Sequence, residues 1–297
     1  MPSVLVAPVR LDLRRTLGPY QHGRHDPTTR LTERELWRAT RTPDGAGTLH
    51  LWWDDAHVHH EAWGPGADWL VARVPALIGF DDDPDRLVPC DDVVARAVSH
   101  SPGLRVGRSD LLMHELVPTV LEQRVTSVEG LRAWRLVCRR LSPAAPGPAG
   151  LLLPPDPDAL AELPYWWFHR LGVERRRAQT VITCARHARR LEALVTLTPT
   201  EAGARLASLP GVGPWTVGTV LGSALGDPDA VPLGDYHIPH AVSFALAGEV
   251  RGSDQRMLEL LAPYAGQRGR VIRLLLMDGW HAPRFGPRQR IMPISSW

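Results

Sequence analysis

The sequence feature best suited to chemistry is an aspartate placed after a glycine-rich turn. The segment LPGVGPWTVGTV, Leu209 to Val220, has three glycines and two prolines among otherwise apolar residues, and Asp235 follows Gly213 by 22 positions. A fixed carboxylate can stabilise developing positive charge or orient a water molecule. Aspartate is also a favoured helix N-cap. Both roles stay open for Asp235 on these residues alone.

The glycine-rich turn is predicted to join two helices. The first helix begins with the capping box Thr198-Pro-Thr-Glu201, and Pro214 suits the first turn of the second. Glycine permits positive φ and close backbone approach, so the N–H groups of Gly211, Gly213 and the next helix start are predicted to point outward as an anion site. A plain helical corner is the alternative. A nucleotide-binding glycine loop is disfavoured because that motif follows a strand.

Composition predicts a folded protein whose second part carries the positive charge. The 297 residues are 44% hydrophobic and 22% charged, which is typical of globular domains. Residues 1–100 have 11 Arg against 15 Asp plus Glu, net −4, whereas residues 101–297 have 23 against 17, net +6. Only the second part matches a polyanion. There is no apolar run of about 18 residues and no basic leader, so we expect a cytoplasmic protein without a membrane partner.

The cysteines, histidines and N-terminal tryptophans are predicted to be structural. Cysteines 90, 138 and 184 lack metal-ligand spacing, so we expect small buried residues and no thiolate site. An acidic turn at Asp54-Asp55 predicts a hairpin whose histidines form a solvated face rather than a metal site, because strands send alternate residues to opposite faces. These histidines are His50, His57, His59 and His60. The tryptophans predicted to pack the small sheet are Trp52, Trp53, Trp63 and Trp69.

The pattern of the chain changes near residue 91. Residues 4–13 and 35–77 are typical of short strands broken by turns. Beyond residue 92 the pattern is helical, with helices predicted near 92–100, 109–124, 127–141, 156–170, 174–191, 200–208, 214–225, 235–247, 253–263 and 267–277. We therefore predict an α+β protein with an antiparallel-sheet domain over 1–91 and an all-α region over 92–297.

The hairpin and its spaced aspartate resemble the helix-hairpin-helix DNA glycosylase superfamily, and most closely 3-methyladenine DNA glycosylase II. LPGVGPWT and Gly234-Asp235-Tyr236 carry the resemblance. Weaker matches occur in the order that the family has them, upstream at residues 102–105, 121–126 and 171–178 and downstream at residues 278–280. The resemblance implies a protein that flips and excises a damaged base from double-stranded DNA. It also implies two helical subdomains that flank a base pocket, and we expect a monomer without a cofactor.

The resemblance assigns a role to individual residues. Asp235 is the catalytic residue. The DNA-binding residues are Gly211, Gly213, Pro214, Thr216, Gln123 and Arg124. The base pocket is formed by Trp215, Tyr236, Thr219 and Leu275. Two of these have alternatives, because Trp215 suits a core and Arg124, predicted as the wedge that fills the emptied stack, also suits a phosphate contact. No side-chain metal site is expected, but the carbonyls of Leu209 and Val212 are candidates for a monovalent cation.

The absence of lysine bears on the reaction. Superfamily members that also cut the strand use a lysine as nucleophile at the position of Trp215, and this chain has no lysine. The sequence therefore predicts a monofunctional glycosylase that removes bases of the 3-methyladenine or 7-methylguanine type and leaves an abasic site. Thr219 and Leu275 stand where the resemblance expects aromatic residues, which predicts a pocket that is wider, less selective or suited to another lesion. The alternatives are a non-catalytic protein that binds damaged DNA and a glycosylase for uracil, mismatched or oxidised bases. Residues 281–290, with three arginines and no acid, are predicted to follow the DNA backbone or to form a basic tail.

Overall fold

The computed structural model describes residues 3–6 and 11–283. Five strands near the N-terminus form one antiparallel sheet in the order β1-β5-β4-β3-β2. The strands are β1 (Ser3–Val6), β2 (Thr29–Leu31), β3 (Glu35–Thr42), β4 (Gly45–Trp53) and β5 (His57–Trp63). The predicted hairpin is confirmed, because β4 pairs with β5 and Trp53 lies opposite Val58. The Asp54 carboxylate accepts the backbone N–H groups of Ala56 and His57, both at 2.8 Å, which closes the acidic turn.

One face of the sheet packs on helix α2 (Ala67–Leu77). Leu70, Val74 and Leu77 recur at helical spacing and are buried against the apolar residues of the strands. Strands predicted over residues 67–77 are therefore wrong, because this three- and four-residue spacing fits a helix. The strand predicted over residues 4–13 is also shorter, since one-turn helix α1 (Leu13–Thr16) begins within it; residues 7–10 lie outside the described residues.

The opposite face of the sheet carries a row of stacked rings. Trp37 and His50 lie 3.7 Å apart between ring centroids, and Trp52 extends the row at 4.6 Å from His50. His59 and Trp63 lie at its two ends. The prediction of a solvated histidine face is corrected, because His50 is half-buried in this row and His60 is buried on the other face. Trp53 and Trp69 pack in the sheet core as predicted, whereas Trp52 and Trp63 pack in the row.

Helices dominate the remainder of the described chain, and the α+β prediction is confirmed. They are α3 (Asp92–His100), α4 (Leu112–Glu122), α5 (Ser127–Leu141), α6 (Pro157–Glu162), α7 (Arg175–Arg186), α8 (Ala188–Glu192), α9 (Pro199–Ala207), α10 (Pro214–Val220), α11 (Ile238–Ala247), α12 (Asp254–Leu261) and α13 (Arg268–Met277). The predicted helix over 156–170 is wrong in its second half, because Pro164 separates α6 from a 3-10 helix, Tyr165–Leu171. The helix predicted over 174–191 is likewise divided, at His187.

Two apolar clusters hold these helices. One is built from α4, α5, α7, α9 and α10. The other combines α3 with α11, α12 and α13. Cys138 and Cys184 are buried as predicted, but Cys90 is exposed, so its predicted burial is wrong. Within the described part of the chain, no helix has the length and apolar character needed to cross a membrane.

A buried polar contact fixes the sheet against α4. Arg38 of β3 donates to Glu115 Oε1 at 2.6 Å, and both side chains are buried. Beside them, His114 Nδ1 lies 2.9 Å from the hydroxyl of Thr40. Burial, followed by the charge of Arg38, lowers the pKa of His114 well below its ordinary value, so the imidazole is neutral. This contact sets the position of α4, whose last turn leads to Gln123.

Candidate active site

Helices α9 and α10 form the predicted hairpin. Thr198 and Glu201 make both hydrogen bonds of the capping box that begins α9. Gly211 has a φ of +89°, and a Cβ at this position would clash with the side chain of Thr180 on α7. Gly213 faces open space, because a Cβ there would meet no atom within 4 Å. The turn therefore packs against α7 at Gly211 and faces open space at Gly213.

The open side of the turn carries unused hydrogen-bond donors. Among the described residues, the backbone N–H groups of Gly211 and Gly213 have no acceptor. The first turn of α10 adds further N–H groups that a helix cannot satisfy internally. Val212 instead donates its N–H to the Leu209 carbonyl at 3.1 Å. The cation site on the Leu209 and Val212 carbonyls stays a prediction.

Asp235 lies across from α10, just before α11. Its Oδ1 accepts the backbone N–H groups of His237 at 2.7 Å and Ile238 at 2.9 Å. Its Oδ2 accepts the indole N–H of Trp215 at 2.9 Å. The carboxylate is half-buried, so one oxygen caps the helix while the other meets the hairpin. The helix begins at Ile238, three residues later than predicted, because Asp235 bonds to its first N–H groups from outside.

A close backbone approach brings Asp235 to Trp215. The loop before Asp235 crosses α10 at Gly218, where a Cβ would overlap the carbonyl of Val231. Trp215 belongs to the helices of the first cluster, and Asp235 precedes those of the second. The hydrogen bond between them therefore joins the two clusters. A glycine inside an apolar helical segment is a signal of close packing, but the role of Gly218 was not predicted from the sequence.

Two further carboxylates hold the same loop. Asp229 accepts the backbone N–H groups of Gly266 and Arg268 and forms an ion pair with Arg268. Burial alone would raise the pKa of Asp229, but the hydrogen bonds from Arg268 hold that pKa below its ordinary value. Asp254 Oδ2 accepts the N–H of Gly234 at 2.8 Å, next to Asp235. Neither carboxylate was found from the sequence, because its partner lies 20 to 39 residues away.

The predicted pocket residues occupy different environments. Trp215 is half-exposed, and Thr219, one turn further along, donates its hydroxyl to the Trp215 carbonyl at 2.8 Å. Tyr236 is 72% exposed, with its ring centroid 4.9 Å from that of His237. Leu275 is fully buried in the second helical cluster. Its side chain packs in that cluster, and its assignment to the base pocket stays a prediction.

Gln123 connects the end of α4 to the hairpin. Its Nε2 donates to the Gly211 carbonyl at 3.0 Å and to Thr216 Oγ1 at 2.8 Å. Thr216 is buried, so its hydroxyl serves this contact and is not a free surface group. The amide protons of Gln123 are used in the same way. Both side chains predicted to contact DNA therefore position the hairpin against α4.

Arg124 follows in a strained backbone conformation. Its φ is +57°, which is uncommon for a residue other than glycine, and its side chain is exposed. The segment is fixed on both sides, by Gln123 before it and by the capping box of Thr126 and Glu129 after it. Outliers of this kind persist where the surroundings fix them, and they concentrate at functional sites. The backbone therefore presents Arg124 beside the hairpin.

Buried charged groups position α4 at both ends. Arg177 of α7 is 2% exposed and donates to the Leu121 carbonyl at 2.6 Å, in the last turn of α4. At the first turn, Glu192 accepts the N–H groups of Leu112 at 2.7 Å and Met113 at 3.0 Å. Burial raises the pKa of Glu192 to about 7. Among residues 3–6 and 11–283, no three histidine, cysteine or acidic side chains are grouped to hold a metal ion.

Comparisons with known proteins relate this arrangement to DNA repair enzymes. No family model matches the chain. A probable bifunctional transcriptional activator/DNA repair enzyme AlkA of Mycobacterium tuberculosis is 30% identical over 172 residues, which are 56% of this chain and 34% of that protein. The chain thus spans about a third of the length of the curated relative that it matches.

Solved structures match over nearly the whole chain. A 3-methyladenine DNA glycosylase from Archaeoglobus fulgidus has a TM-score of 0.78 at 18% identity, covering 94% of this chain and 99% of that one. The 8-oxoguanine glycosylase/lyase of Clostridium acetobutylicum, in complex with double-stranded DNA, has a TM-score of 0.70 at 12% identity, covering 93% and 97%. The chain therefore shares the fold of these DNA glycosylase structures.

Proposed function

We propose that this protein is a monofunctional DNA glycosylase that excises alkylated bases from double-stranded DNA and leaves an abasic site. The observation that carries the proposal is the contact between Trp215 and Asp235. It brings a carboxylate and an electron-rich ring together where the helices of the two clusters meet. The fold and the sequence similarity to a DNA repair enzyme support the same class of activity.

Asp235 would act on the sugar. Cleavage of the bond between base and sugar gives the sugar ring oxocarbenium character in the transition state. A fixed carboxylate stabilises that charge without reorganising during the reaction. Three hydrogen bonds, from His237, Ile238 and Trp215, fix both Asp235 oxygens. One lone-pair site, on Oδ2, remains for an incoming water molecule.

Trp215 would receive the flipped base. Bases such as 3-methyladenine and 7-methylguanine carry positive charge, and a cation is attracted to the face of an indole ring. The Trp215 N–H is used by Asp235, so the ring is held by its edge. Tyr236, which follows Asp235 in the chain, is exposed. The charge of the base also makes it a good leaving group, so Asp235 and Trp215 favour the same class of lesion.

The hairpin would hold the DNA backbone. Unused N–H donors at Gly211, Gly213 and the start of α10 suit one phosphate group. Arg124 is presented at the adjacent surface, where it would fill the gap left by the flipped base or contact a phosphate. The proposed partner is double-stranded DNA, bound by a monomer in the cytoplasm.

The side chains present support a monofunctional reaction. A strand-cutting glycosylase forms a covalent intermediate through an amine, and Trp215 occupies the position where the resemblance expects a lysine. This chain contains no lysine. We therefore expect base release without strand cleavage.

End-labelled duplexes with one defined lesion test the proposal. Release from duplexes that contain 3-methyladenine or 7-methylguanine, with strand breaks only after hot alkali, is the expected result. Strand breaks before alkali treatment would contradict the monofunctional reaction. Release from duplexes that contain only uracil, a mismatch or 8-oxoguanine would replace the proposed substrate class. No release from any duplex, with DNA binding retained, would favour a non-catalytic damage-binding protein.

A further inference from the structure

We propose that Arg175 and Arg176, at the start of α7, hold phosphate groups of the DNA backbone next to the phosphate at the hairpin. This second phosphate-binding surface rests on the proposed function, because it takes duplex DNA as the partner. Its arginine side chains would bind phosphate in addition to the backbone N–H groups of the hairpin.

Helix α7 lies directly against the hairpin. Thr180 of α7 is the residue that leaves no room for a Cβ at Gly211. The hydroxyl of Thr180 donates to the carbonyl of Arg176 at 3.0 Å, one turn earlier on the helix. One turn of helix is about 5.4 Å. Arg176 is thus one helical turn away from the contact with the hairpin.

The same first turn of α7 lies against the end of α4. Arg177 reaches inward, donating to the carbonyls of Leu121 and Gly172 and pairing with Glu174. Leu121 precedes Arg124 by three positions. Helix α7 therefore contacts the hairpin through Thr180 and the end of α4, which leads to Arg124, through Arg177. Both of these contacted segments belong to the proposed DNA interface.

Arg175 and Arg176 are free for an anionic ligand, whereas Arg177 is not. Both are exposed, and neither forms an ion pair within the described residues, because Glu174 is used by Arg177. The guanidinium carbon of Arg175 lies 4.7 Å from the centre of the Tyr165 ring. That ring holds the guanidinium while its N–H groups remain available. The next residue, Trp166, is 61% exposed, so this surface combines arginine with an exposed aromatic ring.

The spacing suits neighbouring phosphates on one strand. Each strand of duplex DNA carries one charge per 3.4 Å of helix axis. The distance of about one helical turn between the hairpin contact and Arg176 corresponds to one or two such steps. Arginine binds phosphate through parallel N–H donors, which makes it well suited to such a contact. Two consecutive exposed arginines therefore extend the line of contacts that begins at Gly213.

The chain offers a matched control in Arg189 and Arg190. These two arginines are also consecutive, exposed and without an ion pair among the described residues, but they lie on α8, past the far end of α7. Helix α7 has 12 residues, so its two ends are about 18 Å apart. A solvated arginine pair with no ligand would behave alike at both places. A phosphate-binding pair would not.

Binding of an undamaged duplex at several salt concentrations tests the proposal. The double variant R175Q/R176Q is expected to bind more weakly and to reduce the salt slope of the logarithm of the binding constant by about 1.8, or 0.9 for each phosphate lost. R189Q/R190Q should retain the native slope. R175K/R176K should retain most of the slope, because the charge is kept. Thermal unfolding verifies that each variant is folded.

Two results would overturn the proposal. One is a native salt slope in R175Q/R176Q. The other is an equal loss of slope in R189Q/R190Q or in R175K/R176K. Because the duplex is undamaged, the outcome does not depend on base excision. The salt dependence of duplex binding would still test these arginines in a protein that released no base. Failure of the proposed function and failure of the phosphate-binding surface are therefore distinguishable.

Discussion

Removing the indole N–H of Trp215 should slow base excision without weakening DNA binding. Trp215→Phe keeps an aromatic ring at this position but deletes the 2.9 Å hydrogen bond to Asp235 Oδ2. The bonds from His237 and Ile238 hold the other oxygen and survive the change. The carboxylate therefore stays near the hairpin but loses the contact that fixes its orientation.

The size of the effect follows from the bond that is lost. A hydrogen bond to a charged group contributes about 1.5 to 3 kcal/mol. If the whole contribution is made in the transition state, and each 1.36 kcal/mol is tenfold in rate, excision should slow by about 10- to 150-fold. Single-turnover base release with excess protein measures the rate of the chemical step. Binding of the same duplex is expected to change little, because the hairpin N–H groups are untouched.

Trp280→Phe is the matched control for this substitution. Trp280 also donates its indole N–H to an aspartate, Asp278, at 3.2 Å, but it packs on the second helical cluster away from the hairpin. The Trp280→Phe variant should release the base at nearly the native rate. An unchanged rate in Trp215→Phe, or an equal loss in Trp280→Phe, would refute the claim that the Trp215 N–H orients Asp235. A thermal unfolding midpoint close to the native value shows that the variants are folded.

Three further predictions concern the elements that position the site. Gly218→Ala should slow base release strongly, because the added methyl group displaces the loop that carries Asp235. The control Gly222→Ala, whose Cβ meets no atom closer than 3.9 Å, should not slow base release. Single-turnover rates compare the two variants. Gly211→Ala should lower the free energy of unfolding by about 1 to 3 kcal/mol through its positive φ, and should weaken duplex binding, as denaturation and binding titrations would measure. Burial raises the pKa of Glu192 from 4.5 to about 7, so between these pH values the folded protein holds a proton that the unfolded chain has lost. The free energy of unfolding therefore falls as pH rises from 4.5 to about 7, by up to about 3 kcal/mol. Denaturation at pH 5 and pH 8 should show a smaller loss in Glu192→Gln, and an equal loss would contradict this cause.

Local signals made much of the helical region predictable from sequence. The capping box at Thr198 and the glycines at 211 and 213 fixed the hairpin, because caps and positive φ are decided by adjacent residues. Segment 67–77 was mispredicted as strands, since its apolar residues fit a helix only when the four-residue spacing of Leu70 and Val74 is given priority over the neighbouring strands. Short apolar segments are ambiguous in this way.

Contacts between distant segments were not predictable. The roles of Asp229 and Asp254 in holding the loop depend on partners far along the chain. Leu275 was assigned to the pocket by position in a resemblance, but its burial depends on how α13 packs on α3 and α11. Gln123 and Thr216 were correctly grouped with the hairpin, yet their bond to each other shows that they position it. Sequence placed these residues near the site, and packing decided their function.

Asp235→Asn is the most direct test of the account. Asparagine retains an oxygen that can accept the N–H groups of His237 and Ile238, so the fold and the hairpin should be preserved. Single-turnover release of 7-methylguanine and binding of the same duplex would be measured for the native protein and this variant. The account predicts that release falls by orders of magnitude while binding stays near the native affinity. Native release by Asp235→Asn would contradict the assignment of Asp235 as the catalytic residue.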